Sequence, residues 1–152
     1  MTIKPRVLFL CTENSCRTQM AEAFLRALTG EEFEIVSAGA QAGRLDPEAV
    51  TSMREVGIDI SSARAKIVDP YLRERFHYVI TLCDRGQERS CPVFPGAIWR
   101  QTWRIESPAH LEAGGLDYCM AVRHARDEIR RHVAEFAEKH YRPTSEGRAA
   151  WN

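Results

Sequence analysis

The sequence predicts an α/β fold, a three-layer α/β/α domain built on a central four-stranded parallel sheet. Three observations lead there. Apolar runs of strand length alternate with longer stretches whose apolar residues recur every three or four positions, the signature of strands connected by helices. The first run, Arg6 to Cys11, is continuously apolar after its arginine (VLFLC), as a strand covered on both faces requires. Gly and Asp-Pro pairs separate the segments, where helices stop and start. The chain of 152 residues is the size of one such domain, residues 1–141, followed by a polar tail, 142–152.

Taken in order, Arg6 to Cys11 is the first strand. A helix starts at Ser15 or Arg17 and runs to Leu28, with Met20, Ala21, Phe24, Leu25 and Leu28 on one face and Gly30 as the stop. Phe33 to Ser37 is the second strand. Asp46-Pro47 reads as an N-cap and an N1 proline opening a helix that ends at Gly57. Asp69-Pro70 repeats that signal before a short helix, YLRERF, and His77 to Cys83 is the third strand. Residues 84–96 carry Gly, Pro and charge without periodicity and read as a loop. Ala97 to Trp103 is the fourth strand, residues 104–115 are a second loop, and the last helix has Leu116, Cys119, Val122, Ile129, Val133 and Phe136 as its apolar stripe.

Lys+Arg and Asp+Glu both number 21, so a broad nucleic-acid or anionic-membrane footprint is excluded and any anion site must be local. No segment reads as a signal peptide or a membrane span, so a cytoplasmic protein is expected; a monomer is the default expectation. In that compartment five cysteines, Cys11, Cys16, Cys83, Cys91 and Cys119, are reactive or metal-binding rather than a disulfide framework.

The chemistry concentrates in CTENSCR. Five residues separate Cys11 from Arg17 between a buried strand and a helix start, so backbone N–H groups of Thr12, Glu13, Asn14, Ser15 and Cys16 and the first turn of the helix converge on one tetrahedral oxyanion. The helix dipole favours negative charge there, and Arg17 adds a bidentate fork. The same field favours the Cys11 thiolate, which can attack the central atom of the bound anion. Asn14 can hold the loop through its side-chain amide. The plain alternative, Cys11 as a small hydrophobe ending a strand, does not account for the loop, the arginine and the helix all in sequence. Cys83 also ends a strand, at the sheet edge where ligands of such folds bind. Cys16 is either loop-shaping or a spare partner for Cys11, Cys119 is core, and the cysteine spacings do not suit a structural zinc site.

VLFLCTENSCRTQMAEAF resembles the low-molecular-weight tyrosine phosphatase superfamily. Its TQMAEAF continuation, with SAGA at Ser37 to Ala40, VITLC at Val79 to Cys83 and CPVFPG at Cys91 to Gly96, is similar to the arsenate reductase branch of the thioredoxin-coupled type. The resemblance implies the phosphatase-like fold and a relay of three thiols. Cys11 would attack arsenate, Cys83 would attack the sulfur of Cys11 and release arsenite, and Cys91 would attack Cys83. The resulting Cys83–Cys91 disulfide would be opened by thioredoxin or another thiol donor. It also implies a potassium ion near Asn14, Glu22, Ser37 and Asp69, each of which has a plain role in loop shaping, a helix face or a cap; no organic cofactor is implied.

Three positions depart from the family pattern. Glu13 stands where the family often has Gly, and its charge must point away from an oxyanion. The interval from Cys83 to Cys91 is one residue longer than in the better-known members. Ser107 in IESPAH occupies the place of the family's general-acid Asp; a serine is a poor acid at neutral pH, so either Glu106 substitutes or Glu106 and Ser107 are loop solvation or a cap. Phosphate-ester hydrolysis suffers more from that change than reduction does. Two alternatives therefore stand beside the reductase: a low-molecular-weight phosphatase, and a non-catalytic arsenite-binding or redox-sensing thiol protein.

Overall fold

The computed structural model describes residues 4–41, 43–84 and 93–141. Four strands, β1 (Arg6–Cys11), β2 (Glu34–Gly39), β3 (Phe76–Cys83) and β4 (Ala97–Arg104), form one parallel sheet in the order β2-β1-β3-β4. The helices are α1 (Arg17–Thr29), α2 (Pro47–Glu55), α3 (Pro108–Ala113) and α4 (Tyr118–His140). No described helix is long and apolar enough to cross a membrane.

Alternation along β1 explains its continuous hydrophobicity. Val7 and Phe9 join Met20, Leu25, Met53, Ile129 and Val133 in the larger core, under α1, α2 and α4. Leu8 and Leu10 face the other way, against Ala38, Val68, Phe76, Val79 and Phe94. Both faces are dry, as a parallel sheet demands.

The pairing register fixes the functional edge. Cys11 lies opposite Gly39 on β2, Leu10 opposite Thr81 on β3, and Cys83 opposite Arg104 on β4. The chain leaves β1 toward β2 on one side and β3 toward β4 on the other, so a crevice opens beyond the carboxyl ends of β1 and β3. Cys11 and Cys83 end those two neighbouring strands.

Helix boundaries follow local chemistry. Gly30 ends α1 with φ +58°, and Asp46 caps α2 by accepting the Glu48 N–H at 2.9 Å, with Pro47 in the first turn. Three expectations are corrected. Asp69-Pro70 opens only a single 3-10 turn, Asp69–Tyr71, without a side-chain cap, because the chain must straighten to enter β3 at Phe76. Residues 104–115 are not all loop: Ser107 caps α3, accepting the His110 N–H at 3.1 Å, and Pro108 fills its first turn. Cys119 is not core; it is half-buried in the first turn of α4, and its thiol donates to Glu48 Oε2 at 3.3 Å. The predicted tail, 142–152, lies outside the described residues.

Candidate active site

The loop from Thr12 to Cys16 joins β1 to α1 and is held from beneath by one buried side chain. Asn14 is fully buried with φ +56°, a backbone state that Asn tolerates better than most residues. Its Oδ1 accepts the Lys66 N–H at 2.8 Å and Gln19 Nε2 at 2.9 Å, and its Nδ2 donates to Thr18 Oγ1 at 2.8 Å. The loop is thereby tied to α1 and to the strand-like passage at Lys66. Beyond Cys11 the pairing with β2 continues, Ala40 N–H donating to Cys11 O at 3.0 Å and Gln41 N–H to Thr12 O at 2.8 Å.

Gly39 permits this approach. A Cβ there would stand 2.7 Å from the Glu13 carbonyl carbon and 2.8 Å from both Asn14 N and Thr12 O. Gly43 packs on Glu13 in the same way: a Cβ there would stand 2.6 Å from the Glu13 carbonyl oxygen. Two glycines thus clamp the backbone of Glu13, whose side chain is exposed at the pocket rim.

Cys11 is buried, and two groups address its sulfur: the Asn14 N–H donates to Sγ at 3.0 Å, and Thr18 Oγ1 lies 3.1 Å away. Because Thr18 accepts from Asn14 Nδ2, its own hydrogen is available to Sγ. Two donors at one sulfur is the arrangement a thiolate nucleophile needs. Cys16 is different. Burial and the nearby Asp46 carboxylate push its thiol up to about 12, so it stays protonated at neutral pH.

Arg17, at the start of α1, donates through Nη1 to Ile105 O at 2.7 Å and lies 3.5 Å from Asp84 Oδ1. Asp84 Oδ1 also accepts the Ser107 N–H. One carboxylate, immediately after Cys83, therefore couples Arg17, the end of β3 and the segment before α3. The pocket, about 270 Å³, is lined by Cys11, Thr12, Glu13, Ser15, Cys16 and Arg17 together with Asp46, Ser107, Pro108, Ala109 and Tyr118. Of the two proton-donor candidates, Ser107 reaches the pocket but its hydroxyl oxygen caps α3, while Glu106 is absent from the lining and stands 3.3 Å from His110 Nε2.

The residues named for potassium do not suit a cation. Asn14 Oδ1 is already shared between Gln19 and Lys66. Glu22 Oε1 accepts from Ser37 and lies 3.7 Å from Lys66 Nζ, and Arg26 Nη2 donates to Glu22 Oε2 at 2.6 Å. Two protein cations already neutralise that carboxylate, and a third would be repelled. Asp69 opens the 3-10 turn and shares no bond with the other three among the described residues. No described group of three or more His, Cys, Asp or Glu side chains is placed to hold a metal.

Cys83 is buried at the end of β3. Cys91 lies outside the described residues. Four residues of the site escape sequence reasoning: Thr18, Asp84, Asp46 and Tyr118. Asp84 carried a signal, its place directly after Cys83. Asp46 read only as a cap, and its link to Tyr118, 72 positions away, leaves no local trace.

Comparison with known proteins agrees with this geometry. The model of the family described as low molecular weight phosphotyrosine protein phosphatase matches residues 6–142. A Bacillus licheniformis protein named arsenate reductase is 40% identical over 135 residues, covering 89% of this chain and 96% of its own. Two solved structures align with 29% identity. An arsenate reductase in a phosphate-binding state gives a TM-score of 0.72, covering 89% of this chain and 98% of its own. The Corynebacterium glutamicum thioredoxin-dependent arsenate reductase gives 0.67, covering 91% and 62%. With the anion loop, the parallel sheet and the match over nearly all of the described residues in agreement, the chain belongs to the low molecular weight phosphotyrosine protein phosphatase family.

Proposed function

We propose that this chain is an arsenate reductase that works through a thiol relay. Arsenate binds over the N-terminus of α1 within reach of Arg17. The Cys11 thiolate attacks arsenic and displaces one oxygen as water, using a proton carried by the substrate, which leaves an arsenic(V) ester of the Cys11 sulfur. Cys83 then attacks that sulfur: the S–As bond breaks, its electron pair stays on arsenic, and arsenite leaves as a Cys11–Cys83 disulfide forms. Cys91 attacks Cys83, freeing the Cys11 thiolate. An external dithiol of the thioredoxin type reduces the Cys83–Cys91 disulfide and supplies the two electrons that arsenic has taken. All three thiols belong to one chain, so a monomer suffices, and a reducing cytoplasm suits the cycle.

The observation that carries this reading is a buried cysteine outside the loop, Cys83, on the strand next to that of Cys11 and followed by the aspartate that holds Arg17. Oxyanion capture alone has no use for it. The relatives named arsenate reductase support the same choice. Ser107 weighs against the phosphatase reading, since its hydroxyl is a helix cap and no carboxylic acid replaces it at position 107. The test is Cys91→Ser with excess reductant. A single turnover of arsenate per chain is expected, and sustained turnover would remove Cys91 from the mechanism.

A further inference from the structure

An anion pocket lined by N–H groups and an arginine has no need of a fixed carboxylate, yet Asp46 lines this one together with Cys11 and Arg17. It is anchored rather than incidental. The Asp46 N–H donates to Ser15 O at 2.9 Å, which ties its backbone to the anion loop. Its Oδ1 caps α2, and its Oδ2 accepts the hydroxyl of Tyr118, which also lines the pocket. A carboxylate so held cannot swing out to solvent, and it offers a substrate only acceptor lone pairs.

We propose that Asp46, held in place by Tyr118, is a specificity-determining residue that admits tetrahedral oxyanions still carrying a proton and rejects those that carry none. At neutral pH arsenate and phosphate retain at least one O–H, which can donate to the carboxylate as a charge-assisted hydrogen bond. Sulfate and selenate have no proton to offer. Against the same carboxylate they set acceptor against acceptor and negative against negative, a penalty built against the wrong ligand.

The other charged and titratable groups around the pocket do not make this distinction. Arg17 attracts either kind of anion. Cys16 stays neutral, and Cys11 carries the same charge whichever anion enters. Glu13 repels both from an exposed rim, where water screens it. Glu112 acts on the Tyr118 hydroxyl and is not among the lining residues. The inference rests on the oxyanion pocket of the proposed function but not on reduction.

The test is calorimetric binding of inorganic phosphate and of sulfate at pH 7 to the reduced full chain, with Asp46→Asn and Glu13→Gln beside it. Asn caps a helix as well as Asp, so Asp46→Asn keeps α2 intact while its amide can also donate. Wild type is expected to bind phosphate at least about tenfold more tightly than sulfate, and Asp46→Asn to remove most of that ratio by tightening sulfate. Glu13→Gln should strengthen both anions alike. Equal binding of the two anions by wild type, an unchanged ratio in Asp46→Asn, a loss of the ratio in Glu13→Gln as large as that in Asp46→Asn, or no binding of either anion would overturn the proposal. A wild type that selects phosphate but never reduces arsenate would leave it standing and remove only the reductase reading.

Discussion

Replacing Gly39 by alanine puts the geometry of the anion loop to a quantitative test. The new Cβ would sit 2.7 Å from Glu13 C and 2.8 Å from Asn14 N and Thr12 O. Non-bonded carbon contacts settle near about 3.5–4.0 Å, so something must retreat by nearly 1 Å. All three obstructing atoms are backbone, and no rotamer can relieve them. β2 is poorly able to yield, because the Gly39 N–H donates to Lys66 O at 2.7 Å and Gly39 O accepts the Val68 N–H at 2.8 Å. The loop must move instead. Overpacking of this kind costs about 1–3 kcal/mol of stability, and a displacement of roughly 1 Å at a reacting centre costs about 100-fold in rate. Urea unfolding followed by tryptophan fluorescence should show the stability loss. Arsenate turnover should fall about 100-fold and phosphate affinity at least about tenfold, since the loop proposed to cradle the anion is displaced. A Gly39→Ala protein that binds phosphate as wild type does would refute the close-approach argument.

Other expectations follow from single contacts. Thr18→Val keeps the packing but removes the hydroxyl at 3.1 Å from Cys11 Sγ, so turnover at neutral pH should fall about tenfold. At pH 7.5, iodoacetamide followed by peptide mass mapping should modify Cys11 and leave Cys16 untouched, because burial and Asp46 keep the Cys16 thiol protonated until about 12. Asp84→Ala unties both Arg17 and the Ser107 backbone, and the phosphate dissociation constant should rise about tenfold with little change in melting temperature. Glu55, gripped by Arg123 and Arg126 across α2 and α4, is lowered to about 2. A depressed carboxylate stabilises the fold above its unfolded value of about 4.3 and loses that contribution as pH falls toward 2. The urea midpoint should therefore drop more steeply between pH 4.5 and 2 in wild type than in Glu55→Gln.

The strands were legible because burial on both faces imposes a pattern within a few residues of chain. RVLFLC and HYVITLC are strands within one residue of their predicted ends, and Asp46-Pro47 marks a helix start with its cap bond in place. The same chemistry at Ser107-Pro108 leaves a cap open beside proton donation, and the serine does cap a helix there, although the sequence around it reads as loop. YLRERF has a helical look that loses to topology, since the edge of β3 must be reached within a few residues of Tyr71. In the site, Cys11 and Arg17 are readable because one loop contains both. Thr18 could have been found from its place in the first turn of α1. The contacts that complete the pocket are different in kind: Lys66 to Asn14 spans 52 positions and Tyr118 to Asp46 spans 72, and no local pattern encodes them. Glu13, whose charge had to be kept away from an anion, is accommodated by glycines at 39 and 43 that hold its backbone while its side chain faces water.

The most direct test of the central claim is arsenate-dependent oxidation of NADPH by the full chain with a supplied thioredoxin system, run beside Cys11→Ser. Sustained NADPH consumption matched by arsenite release, and abolished in Cys11→Ser, is the result the thiol relay predicts. Arsenate bound in the pocket but never consumed, or consumption that survives in Cys11→Ser, would contradict it.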